Sequence, residues 1–557
     1  NEKMYKSDMK RLADDFARAT VGMSSDEKAE KLTKNIQVLL NAHAPSKKVS
    51  IRKQPRKPLS TETRHIMAER DAAKQLMKNM SPSERMIQFE KYKCLRNRVV
   101  SSLRKDQKTG VKESLVRGED PWHVAKKIMG NKKSSDLPIT ENGQVIESDK
   151  DKAEIMNRFF IEKVIKLRDS SKDKTPRDPV ENLRSKFEKS KLSFSFKRVT
   201  VRQVVQLLRK MKNSCASGTD GISSRMIKPV MKEIAPAITI LINSSLEEGV
   251  FPTSFKQAKI TCIYKGKGGK NDKNNYRPIS NLPFLGKCIE VMVDVQLREF
   301  CEKNNLFGSH QHGYRRSRST TTALLTAAVQ WRAKKSEKKF QAALLFDLSA
   351  AYDMLDKSIF LKKAAAVGIK GTALNWLESY LSGRTQLVQV NEERSSARPL
   401  EFGTPQGSSC SCLIFALYVG DIESWVDECL VAAFADDTFI TVEANTLDEL
   451  VERATREGEK ILGFFAANRM VANPSKTGLI IFRPGRMAPE GSDPVRIELD
   501  GVKISEVKET MLLGVKISND LTWKSHMNYM NSKLNYTMSV LWRLRKVLGN
   551  KEMKLFA

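Results

Sequence analysis

The pattern of hydrophobic and polar positions changes near residue 190. Beyond it, short apolar runs alternate with longer helical segments such as 201–211. These runs predict strands at Ile260–Tyr264, Ala342–Phe346, Leu387–Val390, Val431–Phe434, Phe439–Val442 and Leu479–Phe482. Strands interspersed with helices are typical of domains built around a mixed sheet. We therefore predict an α/β (α+β) fold for this part of the chain.

The first 190 residues are mostly polar and lack this alternation of apolar runs and helical segments. We predict long polar helices between about Ser60 and Arg104. Their apolar trace consists of Met86, Phe89, Tyr92 and Leu95. A mixture of Lys, Asp, Ser and Pro at 166–191 predicts a linker. We interpret residues 1–190 as a basic, mostly helical N-terminal extension that ends in this linker.

The charge of the chain points to a polyanionic partner. Lys and Arg total 97 against 65 Asp and Glu, which gives a net charge of +32 over 557 residues. The sharpest excess, 16 basic against 6 acidic residues, lies at 51–110 and opens with a proline-containing basic arm at 51–58. Nucleic acid is the partner that such a field favours. A solvated charged face and a nuclear localisation signal are the alternatives for this region.

Secretion and membrane insertion do not fit the sequence. Apolar stretches such as 412–419 are far shorter than the roughly 18 residues that a membrane helix needs. The first residues lack an apolar signal region. Eight cysteines occur without a C-x-x-C pair, which favours reduced thiols over disulfides or a zinc site. We expect an intracellular protein with a nuclear location.

Candidate chemistry concentrates at two acidic points. Asp347 follows the strand predicted at 342–346, and Asp436 and Asp437 separate two strand-like halves that predict a hairpin. Adjacent carboxylates repel each other. A water-exposed turn would tolerate this repulsion, whereas a bound divalent cation would turn it into attraction for the ion. Oxygen ligands without a nearby His or Cys favour Mg²⁺ over zinc. Two such ions roughly 3.5–4 Å apart can activate a hydroxyl and stabilise a leaving phosphate.

These acidic segments belong to a longer series of motifs. The segments 346–353, 403–408 and 434–437 resemble motifs A, B and C of the reverse transcriptases of non-LTR retrotransposons (LINE-like elements), nearest to the jockey and chicken-repeat type. Further segments resemble motifs of the same family in the same order: 216–222, 275–280, 311–320, 473–477 and 511–515. Cys410 and Cys412 stand where the family has Leu and Pro, and we expect the helix predicted from about Ser408 to Trp425 to tolerate them.

The resemblance implies a right-hand polymerase. It places the fingers at 191–340, the palm at 341–510 and the start of an apparently truncated thumb at 511–557. The basic extension at 1–190 precedes these parts, and the resemblance implies an endonuclease domain upstream in the full-length protein.

The resemblance also implies a metal site and a nucleotide site. Asp347, the Leu348 carbonyl and Asp436 would hold two Mg²⁺ ions, with Mn²⁺ as an alternative, and Asp437 would support them. Tyr352 would lie beneath the incoming sugar and exclude a 2′-OH. The remaining nucleotide contacts would come from Lys265 and Arg277 on the triphosphate, Gln406 and Gly407 beside the nucleotide and template base, and Lys476 as proton donor to pyrophosphate.

The resemblance also implies template contacts, and three of the residues named above have alternative structural roles. Gln311 and Arg315 would contact the template backbone. A salt bridge is the alternative role for Arg277, core packing for Tyr352 and solubility for Lys476.

The implied function is RNA-directed DNA synthesis, a nucleotidyl transfer. Element RNA would be the template, target DNA the primer, as in target-primed reverse transcription, and dNTPs the substrates. A group II intron-type maturase and an inactive RNA-binding derivative are the alternatives. A maturase would carry a DNA-binding or zinc-bearing C-terminal module, and none is seen in this sequence. An inactive derivative would be expected to lose catalytic carboxylates, yet Asp347, Asp436 and Asp437 are all present.

Overall fold

The structure is a computed structural model that describes residues 2–45, 59–77, 80–128, 137–141, 143–169, 177–473, 476–485, 493–545, 548 and 553–554. The basic arm predicted at 51–58 lies outside these described residues. The chain forms two compact units, one of residues 1–46 and 136–525 and the other of residues 47–135 and 526–557.

The helices and strands are numbered in chain order. The α-helices are α1 Glu2–Ala19, α2 Ser25–His43, α3 Thr61–Leu76, α4 Pro82–Val116, α5 Pro121–Ile128, α6 Asp149–Asp169, α7 Glu181–Phe187, α8 Val201–Lys210, α9 Ser224–Ile227, α10 Met231–Glu248, α11 Phe284–Lys303, α12 Thr320–Ser336, α13 Ala351–Met354, α14 Lys357–Ala366, α15 Gly371–Leu381, α16 Ser409–Tyr418, α17 Leu447–Ala467 and α18 Lys524–Arg545. The strands are β1 Thr140–Glu141, β2 Gln144–Val145, β3 Gln257–Tyr264, β4 Tyr276–Asn281, β5 Phe340–Phe346, β6 Thr385–Val390, β7 Glu393–Arg394, β8 Arg398–Pro399, β9 Leu430–Phe434, β10 Asp437–Ala444, β11 Gly478–Phe482, β12 Arg496–Leu499, β13 Val502–Ser505, β14 Glu509–Leu512 and β15 Val515–Ser518.

The central element of the first unit is a four-stranded antiparallel sheet with the strand order β11-β5-β10-β9. The apolar runs predict these strands correctly, although β5 and β10 begin two residues earlier than expected. Helix α17 packs against β5 and β10, and α12 packs against β5 and β9. The mixture of helix and sheet expected from the sequence is confirmed.

Burial on both faces explains why these strands are almost wholly apolar. In β5, Ala342 and Leu344 join the large core that includes α17, whereas Ala343 joins a second cluster around Trp331 of α12. Alternate residues of a strand point to opposite faces, so both sets must be apolar when both faces are covered. Trp331 also donates an indole hydrogen bond of 3.0 Å to Thr441 of β10. This sheet is consequently fixed between two helices.

A second sheet has the strand order β4-β3-β6-β7, with β8 paired to β6. β3 and β4 are antiparallel, whereas β3 and β6 are parallel. Helix α6 packs against β6, where the buried Asn157 amide donates to Ser395 Oγ at 2.9 Å and accepts from Gln386 at 2.9 Å. An amide with both groups satisfied can be buried without a desolvation penalty. Asn157 therefore fixes the position of α6 on this sheet.

The N-terminal extension is not one unit, which corrects the prediction for residues 1–190. Helices α1 and α2 pack on α10, and Met9, Phe16, Leu32 and Ile36 are buried in the main core. The predicted linker is also shorter than 166–191. Helix α6 continues to Asp169, and α7 buries Leu183. These helices are polar overall, but each carries a narrow apolar stripe along one face. Such a stripe is sufficient to bury that face against the core.

The second unit contains α3, α4 and α5. Its α3–α4 contact is formed by Ile66, Ala73, Leu95 and Val99. The predicted apolar trace is therefore only partly correct, because Met86 is 76% exposed and Phe89 50% exposed. A second cluster packs Val111 of α4 and Val124 of α5 with Val540, Leu544 and Leu548.

Among the described residues, no helix has the length and apolarity required to cross a membrane.

A buried ion pair joins α14 to the segment after α16. Lys363 Nζ lies 2.6 Å from Asp421 Oδ1, and the two side chains are 0% and 1% exposed. Lys363 also donates to the Tyr418 carbonyl at 2.8 Å. Removing one member of a buried pair leaves an uncompensated charge, whereas replacing both by apolar side chains can be neutral.

We predict that Asp421→Asn lowers the free energy of unfolding by about 3 kcal/mol, because Lys363 remains buried without a counter-charge. Chemical denaturation measures this change. The double variant Lys363→Met, Asp421→Leu should recover most of the loss. The exposed pair Arg18–Asp15 is the control, and Asp15→Asn should change stability by less than about 0.5 kcal/mol. Equal losses in both single variants would contradict the argument.

Candidate active site

The first acidic residue of the site follows strand β5. Asp347 is half-exposed and comes directly after the last buried residue of the strand, Phe346. Its carbonyl accepts a hydrogen bond of 3.0 Å from the Asn473 N–H, and the Ser349 N–H donates to the Val471 carbonyl at 2.9 Å. These two bonds form the bridge between Leu348 and Ala472 without using the Leu348 carbonyl. The backbone around Asp347 is thereby fixed.

The second acidic point is the tight turn between β9 and β10. The predicted hairpin is confirmed, but its turn is displaced by one residue: Phe434 pairs with Asp437, so that Ala435 and Asp436 form the turn and Asp437 begins β10. Ala435 has a φ of +61°, a conformation that costs a non-glycine residue free energy. In the adjoining pair of strands, Thr438 lies opposite Phe346. Asp347 and Asp437 therefore extend from neighbouring positions at the same end of the sheet.

Gln311 holds this turn. Its Oε1 accepts hydrogen bonds from the backbone N–H groups of Ala435 at 3.0 Å and Gly313 at 2.7 Å, and its Nε2 donates to the Ala435 carbonyl at 3.3 Å. The side chain is completely buried. The prediction that Gln311 contacts the template has no support from this geometry, because its polar groups are occupied. We assign it a positioning role for the turn that carries Asp436.

Arg315 likewise has partners within the protein. Its guanidinium lies 2.7 Å from Glu302 Oε2 and donates to the Gly308 carbonyl at 2.6 Å, and its side chain is nearly buried. Template contact by Arg315 therefore also lacks support from this geometry. Both residues were assigned from motif resemblance, which does not reveal that they are buried.

The carboxylates of Asp347, Asp436 and Asp437 repel one another. Burial raises the pKa of the Asp436 carboxyl, Asp347 raises it further, and Arg277 opposes the increase. Partial loss of hydration raises the pKa of Asp437, followed by the charges of Asp436 and Asp347. Mutual repulsion of this kind is relieved by a bound cation. The expectation of crowded carboxylates is thereby confirmed.

Basic side chains from separate elements surround these acids. Lys476 Nζ lies 3.2 Å from Asp347 Oδ2, with both side chains at least half exposed. Arg277 is on β4 opposite Ile263 of β3, and Lys265 follows β3 with its Nζ donating to the Asn274 carbonyl at 2.7 Å. Burial lowers the pKa of Lys265, and Lys163, Arg277 and Lys476 lower it further. The three cations predicted from the sequence therefore repel one another electrostatically.

Lys163 of α6 is an addition that the sequence did not single out. It is the charge with the largest effect on Lys265, and it lies 5.9 Å from the ring centre of Phe159. Nothing distinguishes Lys163 from the other lysines of a polar helix. Only the packing of α6 against α13 and the second sheet brings it near the site.

Tyr352 belongs to motif A and lies on the short helix α13. Its ring centre is 4.6 Å from that of Phe415 in α16, and its hydroxyl donates to the Tyr314 hydroxyl at 3.0 Å. Burial is the main cause of its raised pKa. The half-buried ring is therefore held by packing on one side and a hydrogen bond at its end. This geometry is compatible with both core packing and contact with a sugar.

The loop of motif B is tied to motif A. Gln406 Nε2 donates to Asp353 Oδ2 at 2.7 Å, and the Gln406 carbonyl accepts from the Ser280 N–H at 2.8 Å. Gly407 has a φ of +110°, and a Cβ there would lie 3.2 Å from the Ser280 carbonyl oxygen. Burial raises the pKa of Asp353 to about 6. Asp353 was part of motif A but was not predicted as a site residue, because its role depends on the distant Gln406.

The helix after this loop also differs slightly from the prediction. α16 ends at Tyr418, and a 3-10 helix follows at Ile422–Trp425. Cys410 is buried and donates its thiol to the Glu290 carbonyl at 3.1 Å. The expectation that the helix tolerates this cysteine is confirmed.

The donor atoms suit a divalent cation. Asp347, Asp436 and Asp437 supply carboxylate oxygens at one end of a sheet, which is the ligand type that Mg²⁺ prefers. Within the described residues, however, no three acidic, His or Cys side chains converge closely enough to hold an ion as they stand. Lys476 occupies part of the space near Asp347. The residues fit Mg²⁺ in chemistry and charge, and side-chain rotation is required to bring their oxygens together.

Acids at the end of two paired strands and cations from other elements thus occur in the same region of the first unit. Residues 266–517 match the family described as reverse transcriptase (RNA-dependent DNA polymerase). This part of the chain is therefore similar to reverse transcriptases, and its resemblance to the LINE-like enzymes is confirmed by the relatives below.

Three similar curated proteins come from mobile elements of Drosophila melanogaster. The chain is 24% identical over 367 residues to a probable RNA-directed DNA polymerase from transposon BS, covering 64% of this chain and 40% of that protein. It is 27% identical over 357 residues to the RNA-directed DNA polymerase from mobile element jockey, covering 62% of this chain and 38% of that protein. It is 23% identical over 436 residues to a putative 115 kDa protein in type-1 retrotransposable element R1DM, covering 76% of this chain and 39% of that protein. The chain thus spans about 40% of the length of these relatives.

We predict that Gly313→Ala lowers the free energy of unfolding by about 1–3 kcal/mol. A Cβ at this position would collide with the Ala435 backbone nitrogen and lie 3.0 Å from its Cα, so the turn that carries Asp436 must move. Denaturant titration measures the loss. Gly463→Ala in α17 is the control, because its Cβ meets no atom within 4 Å and helix propensity favours alanine. A Gly313 variant as stable as the control would contradict the tight contact.

Proposed function

We propose that the protein copies RNA into DNA, as the RNA-directed DNA polymerase of a non-LTR retrotransposon. The observation that carries this proposal is the meeting of Asp347, Asp436 and Asp437 with Lys265, Arg277 and Lys476 inside a reverse transcriptase domain. Element RNA is the proposed template, target DNA the primer and dNTPs the substrates, in target-primed reverse transcription. A nuclear location follows from the DNA target.

The architecture supports a right-hand arrangement. We assign the palm to the four-stranded sheet with its carboxylates, and the fingers to the β3–β4 hairpin and the helices around α10. An open cleft of about 540 Å³ runs from Asp347 and Asp437 to the turn at 511–514. This turn belongs to the segment 511–515, which resembles the primer-grip region of the LINE-like reverse transcriptases, so we place the primer end in this cleft. The thumb begins after it.

Each site residue has a proposed task. Asp347, the Leu348 carbonyl and Asp436 would hold two Mg²⁺ ions, supported by Asp437, and bound Mg²⁺ would supply charge neutralisation and an acidified 3′-hydroxyl. Arg277 and Lys265 would bind the triphosphate. Lys476 would exchange its contact with Asp347 for the pyrophosphate and protonate it. The exposed position of Lys476 permits this exchange, because an exposed ion pair is weak.

Contacts with the incoming nucleotide come from α13 and the motif B loop. Tyr352 would lie beneath the sugar, where its fixed ring excludes a 2′-OH. Gln406 and Gly407 would brace the nucleotide and the template base. The bond from Gln406 to Asp353 supports this assignment, since it connects the loop to the helix that carries Tyr352.

We predict that Asp436→Asn reduces primer extension on an RNA template by about 1,000-fold or more, because a charged metal ligand is lost with its shape conserved. The melting temperature should not fall, since the change also removes repulsion from Asp347 and Asp437. Asp448→Asn on the exposed start of α17 is the control and should leave the rate unchanged. Near-normal extension by Asp436→Asn would place the reaction elsewhere.

We also propose that the basic helix α4 binds nucleic acid. Lys91, Arg98 and Arg104 are exposed on it, and Leu95 and Val99 face α3. Deleting residues 1–110 would not test this proposal, because α1 and α2 belong to the main core. Charge removal on α4 is the sharper experiment.

We predict that changing Lys91, Arg98 and Arg104 to Gln weakens RNA binding and reduces the slope of log K against log salt by about 2 for single strands, since each phosphate contact contributes about 0.7. Binding is measured at several salt concentrations. The control variant changes Lys10, Lys34 and Arg202, which are exposed on α1, α2 and α8, to Gln. It carries the same net charge and should keep the slope. Identical slopes for both variants would refute the role of α4.

A further inference from the structure

A chain of buried hydrogen bonds leads from α15 to α11 through the end of the motif B loop. The Ser408 hydroxyl donates to Glu290 Oε2 at 2.7 Å, and the Tyr380 hydroxyl lies 2.6 Å from Ser408 Oγ. A serine hydroxyl has one proton to donate, so Tyr380 is the donor in the second contact. All three side chains are almost completely buried. The chain therefore runs in one direction and ends at the carboxyl group of Glu290.

Ser408 occupies a position at which serine usually has another task. It directly precedes α16 as the N-cap residue, where a serine side chain normally accepts a free N–H of its own helix. Within the described residues, the Ser408 side chain accepts no such bond from the first turn of α16. Its hydroxyl is directed to α11 instead. The Cys410 thiol also donates to the Glu290 carbonyl, at 3.1 Å, so α16 begins against Glu290.

Arg384 is the positive charge with the largest effect on Glu290. Burial raises the pKa of the Glu290 carboxyl, and Arg384 opposes this increase more than any other group. Arg384 is itself fixed, because its Nε donates to the Tyr380 carbonyl at 2.6 Å and its guanidinium carbon lies 4.3 Å from the ring centre of Tyr380. Polar groups in a buried network strengthen one another. Tyr380 thus holds both the hydroxyl and the cation that accompany Glu290.

The other end of the motif B loop is fixed by α13. The Thr404 N–H donates to the Tyr352 carbonyl at 3.0 Å. Three residues lie between Thr404 and Ser408, and they include Gln406 and Gly407, which are proposed to brace the nucleotide. A short segment held at both ends has little freedom of its own. A displacement of Ser408 would therefore move Gln406 and Gly407 as well.

We propose that Glu290 is a positioning residue for nucleotide binding and that it acts through Ser408. By accepting the Ser408 hydroxyl, Glu290 holds the motif B loop where Gln406 and Gly407 meet the incoming nucleotide. This role rests on the proposed polymerase function. Glu290 is buried and would not touch the nucleotide. Its loss should therefore weaken nucleotide binding and leave the metal-binding carboxylates in place.

The test measures dNTP kinetics in primer extension on an RNA template for Ser408→Ala, Glu290→Leu and the variant with both changes. We expect each single change to raise the KM for dNTP about tenfold or more and to lower kcat by less than about threefold, because a displaced loop binds the nucleotide poorly. The double variant should have the KM of the single variants, since both changes break the same bond.

Thr239→Val is the control for the loss of a buried hydroxyl. Thr239 donates to the Ala235 carbonyl within α10, and its replacement should leave the KM unchanged. A purely structural role of Glu290 would give fewer folded molecules with an unchanged KM, because KM does not depend on the amount of active enzyme. Melting curves establish which variants fold, and Ser408→Ala decides the matter if Glu290→Leu does not fold.

A second measurement requires no activity. Amide hydrogen exchange in the segment 403–410 should become about tenfold faster or more in Ser408→Ala, while exchange in α10 stays the same. If the wild-type protein extends no primer, the polymerase proposal fails, and the exchange rates still test whether Ser408 holds the loop. An unchanged KM in Ser408→Ala, unchanged exchange in the loop, or multiplied effects in the double variant would overturn the role of Glu290.

Discussion

The antiparallel pairing of β5 with β10 is the constraint on which the candidate site depends. It places Phe346 opposite Thr438, so that Asp347, which follows β5, and Asp437, the first residue of β10, lie side by side. A shift of one residue would turn every side chain of a strand to the other face. Such a shift is excluded here because both faces are buried, with Leu344 and Ala343 in different apolar clusters. The apolar residues of the strand therefore determine the spacing of the carboxylates.

The site is built by opposing charges that come from different parts of the chain. The acids lie on one sheet, whereas Lys163, Arg277 and Lys476 come from a helix, a hairpin and a loop. None of these cations is deeply buried, so each can exchange its protein contacts for a phosphate at small cost. The buried polar residues Gln311 and Asn157 have a different task, because their hydrogen bonds are satisfied within the protein and hold the surrounding backbone.

The sequence predicted the strands that carry the acids and the crowding of the acids, because both depend on neighbours along the chain. Asp347 directly follows an apolar run, and Asp436 and Asp437 separate two such runs. Both features can therefore be recognised from neighbouring residues in the sequence. The roles of Gln311 and Arg315 could not be predicted in this way, since each depends on residues that only folding brings near. The α3–α4 contact shows the same limit. Phe89 and Leu95 are equally apolar in sequence, but only Leu95 faces the other helix.

Helix α6 lies outside residues 266–517, yet it is joined to the centre of the domain. Arg168 donates to the Met354 carbonyl at 3.0 Å and forms a 2.6 Å ion pair with Asp356, directly after the helix that carries Tyr352. A fragment cut at the limits of the family match would lose this clamp and would also lose the whole of β3, the partner of β4. The extent of the family match and the extent of a self-sufficient folding unit are therefore different properties here. The smallest piece that could be produced alone must begin well before the segment by which its family is recognised.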